Sequence, residues 1–166
     1  MNKKAILNTR LLVQAAAIAA IYVVLTMMFA PISFGPVQFR ISEVLCILPF
    51  FTVAAVPGLF VGCLLSNFFC GAAALDIAFG SLATLIGAVG SRMLRKNKWA
   101  VCLPPILANT VIVPWVLRYA YGAPEMIGYL MGTVGIGEIL AIGVLGNLLL
   151  STLCLYKGQI FGTQKS

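Results

Sequence analysis

Long apolar stretches separated by short polar breaks dominate the chain. One runs from Leu11 to Ala30 without a charged residue, and two more run from Trp99 to about Tyr121 and from about Met126 to Tyr156. Each reaches the length of about 20 residues that an α-helix needs to cross the hydrocarbon core of a bilayer. The pattern therefore predicts membrane-spanning helices.

The composition excludes most other classes of protein. Hydrophobic residues make up 61% of the 166 residues and charged residues 9%, against about 45–50% and about 25% in soluble domains. Disordered chains, coiled coils, nucleic-acid-binding modules and secreted disulfide scaffolds all need a polar composition or a cysteine framework that this sequence lacks. We therefore predict an all-α, polytopic membrane protein that lies in a lipid bilayer and binds no nucleic acid.

The basic residues indicate the topology. Short loops rich in Lys and Arg stay on the cytoplasmic side of a membrane, so we expect three basic groups and both termini to lie there. The groups are Lys3, Lys4 and Arg10; Arg92, Arg95, Lys96 and Lys98; and Lys157 and Lys165. The net charge of +7 then reflects topology rather than a ligand site.

This placement requires an even number of crossings between residues 10 and 92. The apolar stretch Glu43–Cys70 must therefore cross twice, and we place its turn at Pro57 and Gly58, where a backbone donor is missing and the chain is flexible. The shorter apolar stretch Ile77–Gly90 crosses once. The result is a six-helix bundle forming a single integral-membrane domain over residues 1–166, with short cytoplasmic tails at about 1–9 and 157–166.

The sequence lacks histidine, on which many catalytic and metal sites depend. It contains no histidine, which removes His-based acid–base chemistry, most zinc and haem sites, and Ser–His or Cys–His nucleophiles. The five cysteines show no CxxC spacing and lie in apolar runs, so we interpret them as packing residues. A phosphate-binding GxxxxGK[ST] loop is also missing. We expect no enzymatic activity, no metal and no cofactor, and any active transport must take its energy from a partner.

All four carboxylates fall in the half predicted to face away from the cytoplasm. Glu138, about a dozen residues into the last helix, would lie near the middle of the membrane, where a carboxylate costs about 3 kcal/mol and needs a partner. We expect it to contact a substrate or to form an ion pair with Arg118 or Arg40. Glu125, in a loop beside Pro124, is expected to be solvated.

Arg40 and Glu43 are three residues apart and share one helix face. Glu43 is either a first-turn acid after a Ser42 cap, or it closes the mouth of a pocket together with Arg40. Asp76 either caps the helix that begins at Ile77 or contacts the ligand.

Several uncharged side chains complete the candidate substrate site. Gln38 and Asn67 lie at the same predicted end, and Asn109 lies within a helix where a buried amide needs a partner. Trp115 belongs either to the aromatic belt or to a stacking contact with a planar ligand. Asn147 is expected to hydrogen-bond between helices.

Alanines four residues apart in the first helix form a smooth face. They pair Ala15 with Ala19 and Ala16 with Ala20, a spacing that allows close helix approach. This face serves either internal packing or docking of another protein.

Four segments resemble the queuosine-precursor transporter (QueT) family, whose members are substrate-binding S components of energy-coupling factor (ECF) transporters. They are Thr9–Ala16, Pro31–Glu43, Pro57–Cys63 and Asp76–Leu85. The resemblance extends from Thr9 to about Asn147. It implies a six-helix S-component fold in a bacterial plasma membrane, and docking of the alanine face onto a transmembrane coupling subunit driven by two ATP-binding cassette ATPases.

The resemblance also implies a deazaguanine base as substrate, whose aminomethyl form is a cation. Glu138 or Glu43 would accept the adjacent N–H donors of the base, and Asp76 or the other glutamate would hold the amine. Asn109 would complete the hydrogen bonds, and Trp115 or Phe34 would stack. The alternatives are an S component for another small vitamin-like solute, or a homo-oligomeric channel held together by small-residue faces.

Overall fold

The computed structural model describes residues 3–33 and 39–156, and every regular element within these ranges is a helix. The six main helices are α1 Lys3–Met28, α2 Ile41–Phe50, α3 Ala55–Phe69, α4 Ala74–Met93, α5 Leu103–Ala120 and α6 Ile127–Leu155. Short helical turns at Ala30–Ser33 and Ala100–Cys102 follow α1 and precede α5. The predicted all-α architecture is confirmed.

Two of the helices depart from regular α geometry. Helix α2 is wound as a 3₁₀ helix along its length, and α6 is π-helical over Ile139–Gly146, between α-helical segments Ile127–Glu138 and Asn147–Leu155. Four helical stretches of the described chain are long and apolar enough to cross a membrane: Thr9–Met28, Ala74–Met93, Ala100–Ala120 and Ile127–Leu155. Helices α2 and α3 are apolar but shorter.

Contacts at both ends of α2 show that it runs parallel to α4 over nearly the same height. Arg40, just before α2, pairs with Asp76 in the first turn of α4 at 3.4 Å. At the other end, Arg92 near the end of α4 donates to the Pro49 carbonyl oxygen at 3.0 Å. Ten residues reach this far because a 3₁₀ helix rises about 2.0 Å per residue and an α-helix only about 1.5 Å.

The remaining contacts establish an alternating arrangement. Gly58 of α3 lies against Ala15, and Gly62 lies against Tyr22, so α3 runs parallel to α1. Because α2 runs parallel to α4, and the two flank α3 through short connections, α1 to α4 alternate in direction. Helices α5 and α6 continue the alternation, because Gly87 and Gly90 of α4 lie against Pro105 and Pro104 of α5, while Gly135 and Asn147 of α6 contact Thr110 and Cys102. The bundle end that carries Arg92 is called the basic end below, and the end that carries Asp76 is called the acidic end. Which end faces the cytoplasm stays a prediction.

The turn predicted at Pro57 and Gly58 is wrong. The chain turns between Phe50 and Ala55 instead. Pro57 and Gly58 both lie within α3. Pro57 is tolerated because it occupies the first turn, where backbone N–H groups have no partner in the helix. Gly58 serves close packing instead of a turn, because a Cβ atom there would lie 2.7 Å from the Ala15 carbonyl oxygen.

Candidate functional site

A cluster of buried polar side chains occupies the interior of the bundle between its middle and its acidic end. Each of the six helices contributes one member, a seventh member lies just before α2, and each member is at most 5% exposed. The members, called the polar cluster below, are Tyr22, Arg40, Glu43, Asn67, Asp76, Asn109 and Glu138. The structure thus brings together six of the nine residues predicted to bind substrate.

Glu43 is held by two donors inside the bundle. The Tyr22 hydroxyl donates to Oε1 at 2.6 Å, and the Cys46 thiol donates to Oε2 at 2.8 Å. Ser42 does not cap α2, because it lies within the helix, where its hydroxyl accepts a hydrogen bond from Thr26 at 2.8 Å. Glu43 lies in the first turn of α2, as one alternative predicted, and it is fully buried inside the bundle.

Asp76 joins three elements near the acidic end. Its carboxylate pairs with Arg40 at 3.4 Å and accepts a hydrogen bond from the Tyr121 hydroxyl at 2.9 Å. No side chain caps α4, so the capping role considered for Asp76 is wrong. Partial burial, together with the Asp76 charge, raises the pKa of Tyr121 above its ordinary value, which keeps the hydroxyl protonated and able to donate.

The Asn67 side chain makes its hydrogen bonds through its nitrogen. Its Nδ2 donates to the Asp76 carbonyl oxygen at 3.3 Å and to the Cys63 sulfur at 3.8 Å. Gly80 leaves room for this arrangement, since a Cβ atom there would lie 2.7 Å from Asp76 Oδ1 and 3.2 Å from Asn67 Nδ2. With both contacts made by the nitrogen, Asn67 Oδ1 is left as a buried acceptor without a partner.

Glu138 is the buried carboxylate with an available oxygen. Asn109 hydrogen-bonds to its carboxyl group, but Oε2 has no hydrogen-bond partner in the described structure. The predicted alternative of an ion pair with Arg118 is wrong, because Arg118 is exposed and donates to the Ala123 carbonyl oxygen at 2.7 Å. Arg40, the other predicted partner, forms its ion pair with Asp76.

The polar cluster therefore offers acceptors and negative charge. It contains three buried carboxylates and one buried guanidinium. Glu138 Oε2, Asn67 Oδ1 and Thr110 Oγ1 are buried oxygens without a partner in the parts of the chain that the structure describes. Over the same residues, no group of three or more Cys, Asp and Glu side chains is positioned to hold a metal ion. These features suit a ligand with several N–H donors or a positive charge.

Trp115 is not brought to the polar cluster. Asn109, Val113 and Val116 mark the buried face of α5, whereas Trp115 is 45% exposed on the opposite side. There it stacks on Tyr119, with ring centroids 6.2 Å apart, and lines an apolar groove of about 310 Å³ between α4 and α5. The remaining two candidates, Phe34 and Gln38, lie outside the described residues.

The alanine face of α1 is divided between two environments. Ala15 and Ala19 pack against α3, where Cβ atoms at Gly58 and Gly62 would lie 3.2 Å and 3.1 Å from their Cα atoms. Ala16 and Ala20 are exposed. Asn147 makes the predicted contact between helices, donating to the Cys102 sulfur at 3.4 Å.

Sequence reasoning missed four contributors to the site. Tyr22 and Tyr121 were not assigned to the site, and Cys46 and Cys63 were interpreted as packing residues. One available signal was Tyr22 in the middle of an apolar helix, because a buried tyrosine hydroxyl needs a hydrogen-bond partner.

Comparison with known proteins identifies the family. The model of the QueT transporter family matches residues 12–154. The chain belongs to this family. A relative, the queuosine precursor transporter QueT of Lactococcus lactis subsp. cremoris (strain MG1363), is 40% identical over 77 residues. That alignment covers 45% of this chain and 45% of the relative, so it spans less than half of either protein.

No solved structure matches the chain significantly. A transporter family and four helices of membrane-crossing length together identify a multi-pass membrane protein.

Proposed function

We propose that the protein is the substrate-binding S component of an ECF-type importer and takes up a queuosine precursor, a deazaguanine base. Family membership and the name of the relative support the substrate. The sequence has no phosphate-binding GxxxxGK[ST] loop, so energy for active import must come from another source, and the resemblance to S components supports partner ATPases as that source.

The observation that carries this proposal is the pair of buried acceptors without donors, Glu138 Oε2 and Asn67 Oδ1. Leaving a buried acceptor unpaired costs about 1–3 kcal/mol, and more for a charged group. A deazaguanine base presents adjacent N–H donors at its edge, and its aminomethyl form adds an ammonium group. Such a ligand satisfies both acceptors, whereas an anionic or purely acceptor-bearing solute would satisfy neither.

The contacts distinguish the roles of the three carboxylates. Both oxygens of Glu43 already accept hydrogen bonds, and Asp76 is engaged by Arg40 and Tyr121. Glu138 is therefore proposed as the carboxylate that contacts the ligand. Glu43 and Asp76 are proposed to orient the surrounding side chains, with Asn109 positioning Glu138.

Of the two residues predicted to stack on the base, Trp115 faces the outer groove of α4 and α5, and Phe34, which lies outside the described residues, stays a prediction. For docking of the coupling subunit, we propose the exposed side of α1. Ala16 lies there at the edge of an apolar groove of about 240 Å³ that also includes Leu12 and Val61.

Two measurements test the function. Native mass spectrometry of the purified protein is expected to detect a retained deazaguanine base, and uptake in proteoliposomes is expected only when the coupling subunit and both ATPases are present. Binding of an unrelated solute in place of the base would reject the proposal that the substrate is a deazaguanine base. Conductance or ATP-independent uptake by the protein alone would reject the S-component role in favour of a channel.

A further inference from the structure

The balance of buried charge in the polar cluster is uneven. Glu43, Asp76 and Glu138 are buried with a single buried cation, Arg40, while Glu125, the fourth carboxylate of the chain, is exposed. A buried carboxylate without a cation is costly, and such a group takes up a proton instead of keeping its charge. Two of the three carboxylates are left without a cation, so at least one carboxyl group of the empty cluster should be neutral.

The surroundings of each carboxylate indicate which one it is. Asp76 has the Arg40 guanidinium at 3.4 Å. Glu43 accepts from the Tyr22 hydroxyl at 2.6 Å and from the Cys46 thiol at 2.8 Å, so both of its oxygens already have a donor.

Glu138 has weaker support for a negative charge. Asn109 of α5 hydrogen-bonds to it. The charged and titratable groups that interact with it are Glu43 and Cys46 of α2 and Arg40 just before α2. The cation in this set is already paired with Asp76, and Glu43 repels a second negative charge. We propose that the empty site carries a proton on Glu138, and that a cationic ligand displaces this proton when it binds.

The exchange conserves charge within the cluster. As an ammonium group approaches Oε2, the O–H bond of Glu138 breaks and the proton leaves to solvent water. The ammonium group keeps all of its own protons and donates a hydrogen bond to the carboxylate. A neutral base brings no charge to replace the proton, so Glu138 stays protonated and accepts from the N–H donors of the base through its carbonyl oxygen. This inference rests on the proposed function and narrows it: the site prefers the aminomethyl form, and protons compete with that form.

Isothermal titration calorimetry in two buffers of different ionisation enthalpy measures the proton count directly. At about pH 7, the aminomethyl base is expected to release about one proton per molecule bound, and its affinity should rise up to about tenfold for each unit of pH. A neutral deazaguanine without the aminomethyl group should release none. Glu138→Gln should abolish the release, and Glu125→Gln, in the exposed loop, should retain it.

Binding of the aminomethyl base without proton release overturns the inference but leaves the proposed function intact. Failure of both bases to bind rejects the proposed function, and the proton is then tested without ligand. Infrared spectra of the empty protein should show the carbonyl stretch of a buried protonated carboxyl group in the wild type and in Glu125→Gln, but not in Glu138→Gln. Its absence from the wild type would also overturn the inference.

Discussion

Replacing Glu138 with Gln is the substitution that separates binding from folding most cleanly. The change removes the carboxyl group and keeps the size of the side chain. Because Oε2 has no partner in the described structure, the substitution leaves the other contacts of the polar cluster in place. Removing one partner of a buried charged hydrogen bond costs about 2–5 kcal/mol, which weakens affinity by about 30-fold to several thousandfold.

Calorimetric titration of the purified variant with the aminomethyl deazaguanine base measures this loss. The matched control is Glu125→Gln, which makes the same chemical change on an exposed loop and should bind like the wild type. Melting temperatures in detergent establish that both variants are folded. Wild-type affinity in a folded Glu138→Gln variant would refute the assignment of Glu138 as a ligand contact.

Three further substitutions test other parts of the structure. Tyr22→Phe removes the 2.6 Å hydrogen bond to Glu43 and should cost about 1.5–3 kcal/mol; an unchanged melting temperature would contradict this. Gly62→Ala places a Cβ atom 2.8 Å from that of Tyr22 and should cost about 1–3 kcal/mol by overpacking. Gly132→Ala, with no such neighbour within 4 Å, should stabilise α6 by up to about 1 kcal/mol, so equal melting shifts for the two alanine variants would count against the packing described. Trp115→Ala should leave ligand affinity unchanged in titrations, and a loss of binding would show that Trp115 contacts the ligand.

The general architecture followed from the sequence because charge and length are informative in a membrane protein. Charged groups are restricted to a few positions, and their spacing predicted alternating helices before any contact was known. The position of the turn near Pro57 could not be obtained in this way, because proline is compatible with both a turn and the first turn of a helix. Only the approach of α1 to Gly58 decides between them.

The same physics limited prediction of the site. Glu43, Asp76 and Glu138 were conspicuous because a carboxylate in an apolar run needs an explanation. The faces of α5 were harder to tell apart, because lipid-facing and core-facing positions of a membrane helix are similarly apolar. Trp115 was therefore considered for a site that lies on the other side of its helix, and the sulfur atoms of Cys46 and Cys63 were interpreted as packing alone.

A structure with the aminomethyl deazaguanine base bound tests the central claim most directly, because the measured quantity is the distance from its N–H donors to two oxygen atoms. The account predicts donors within about 3.2 Å of Glu138 Oε2 and Asn67 Oδ1. A base bound in the groove beside Trp115, or one that leaves both oxygens without a donor, would contradict it.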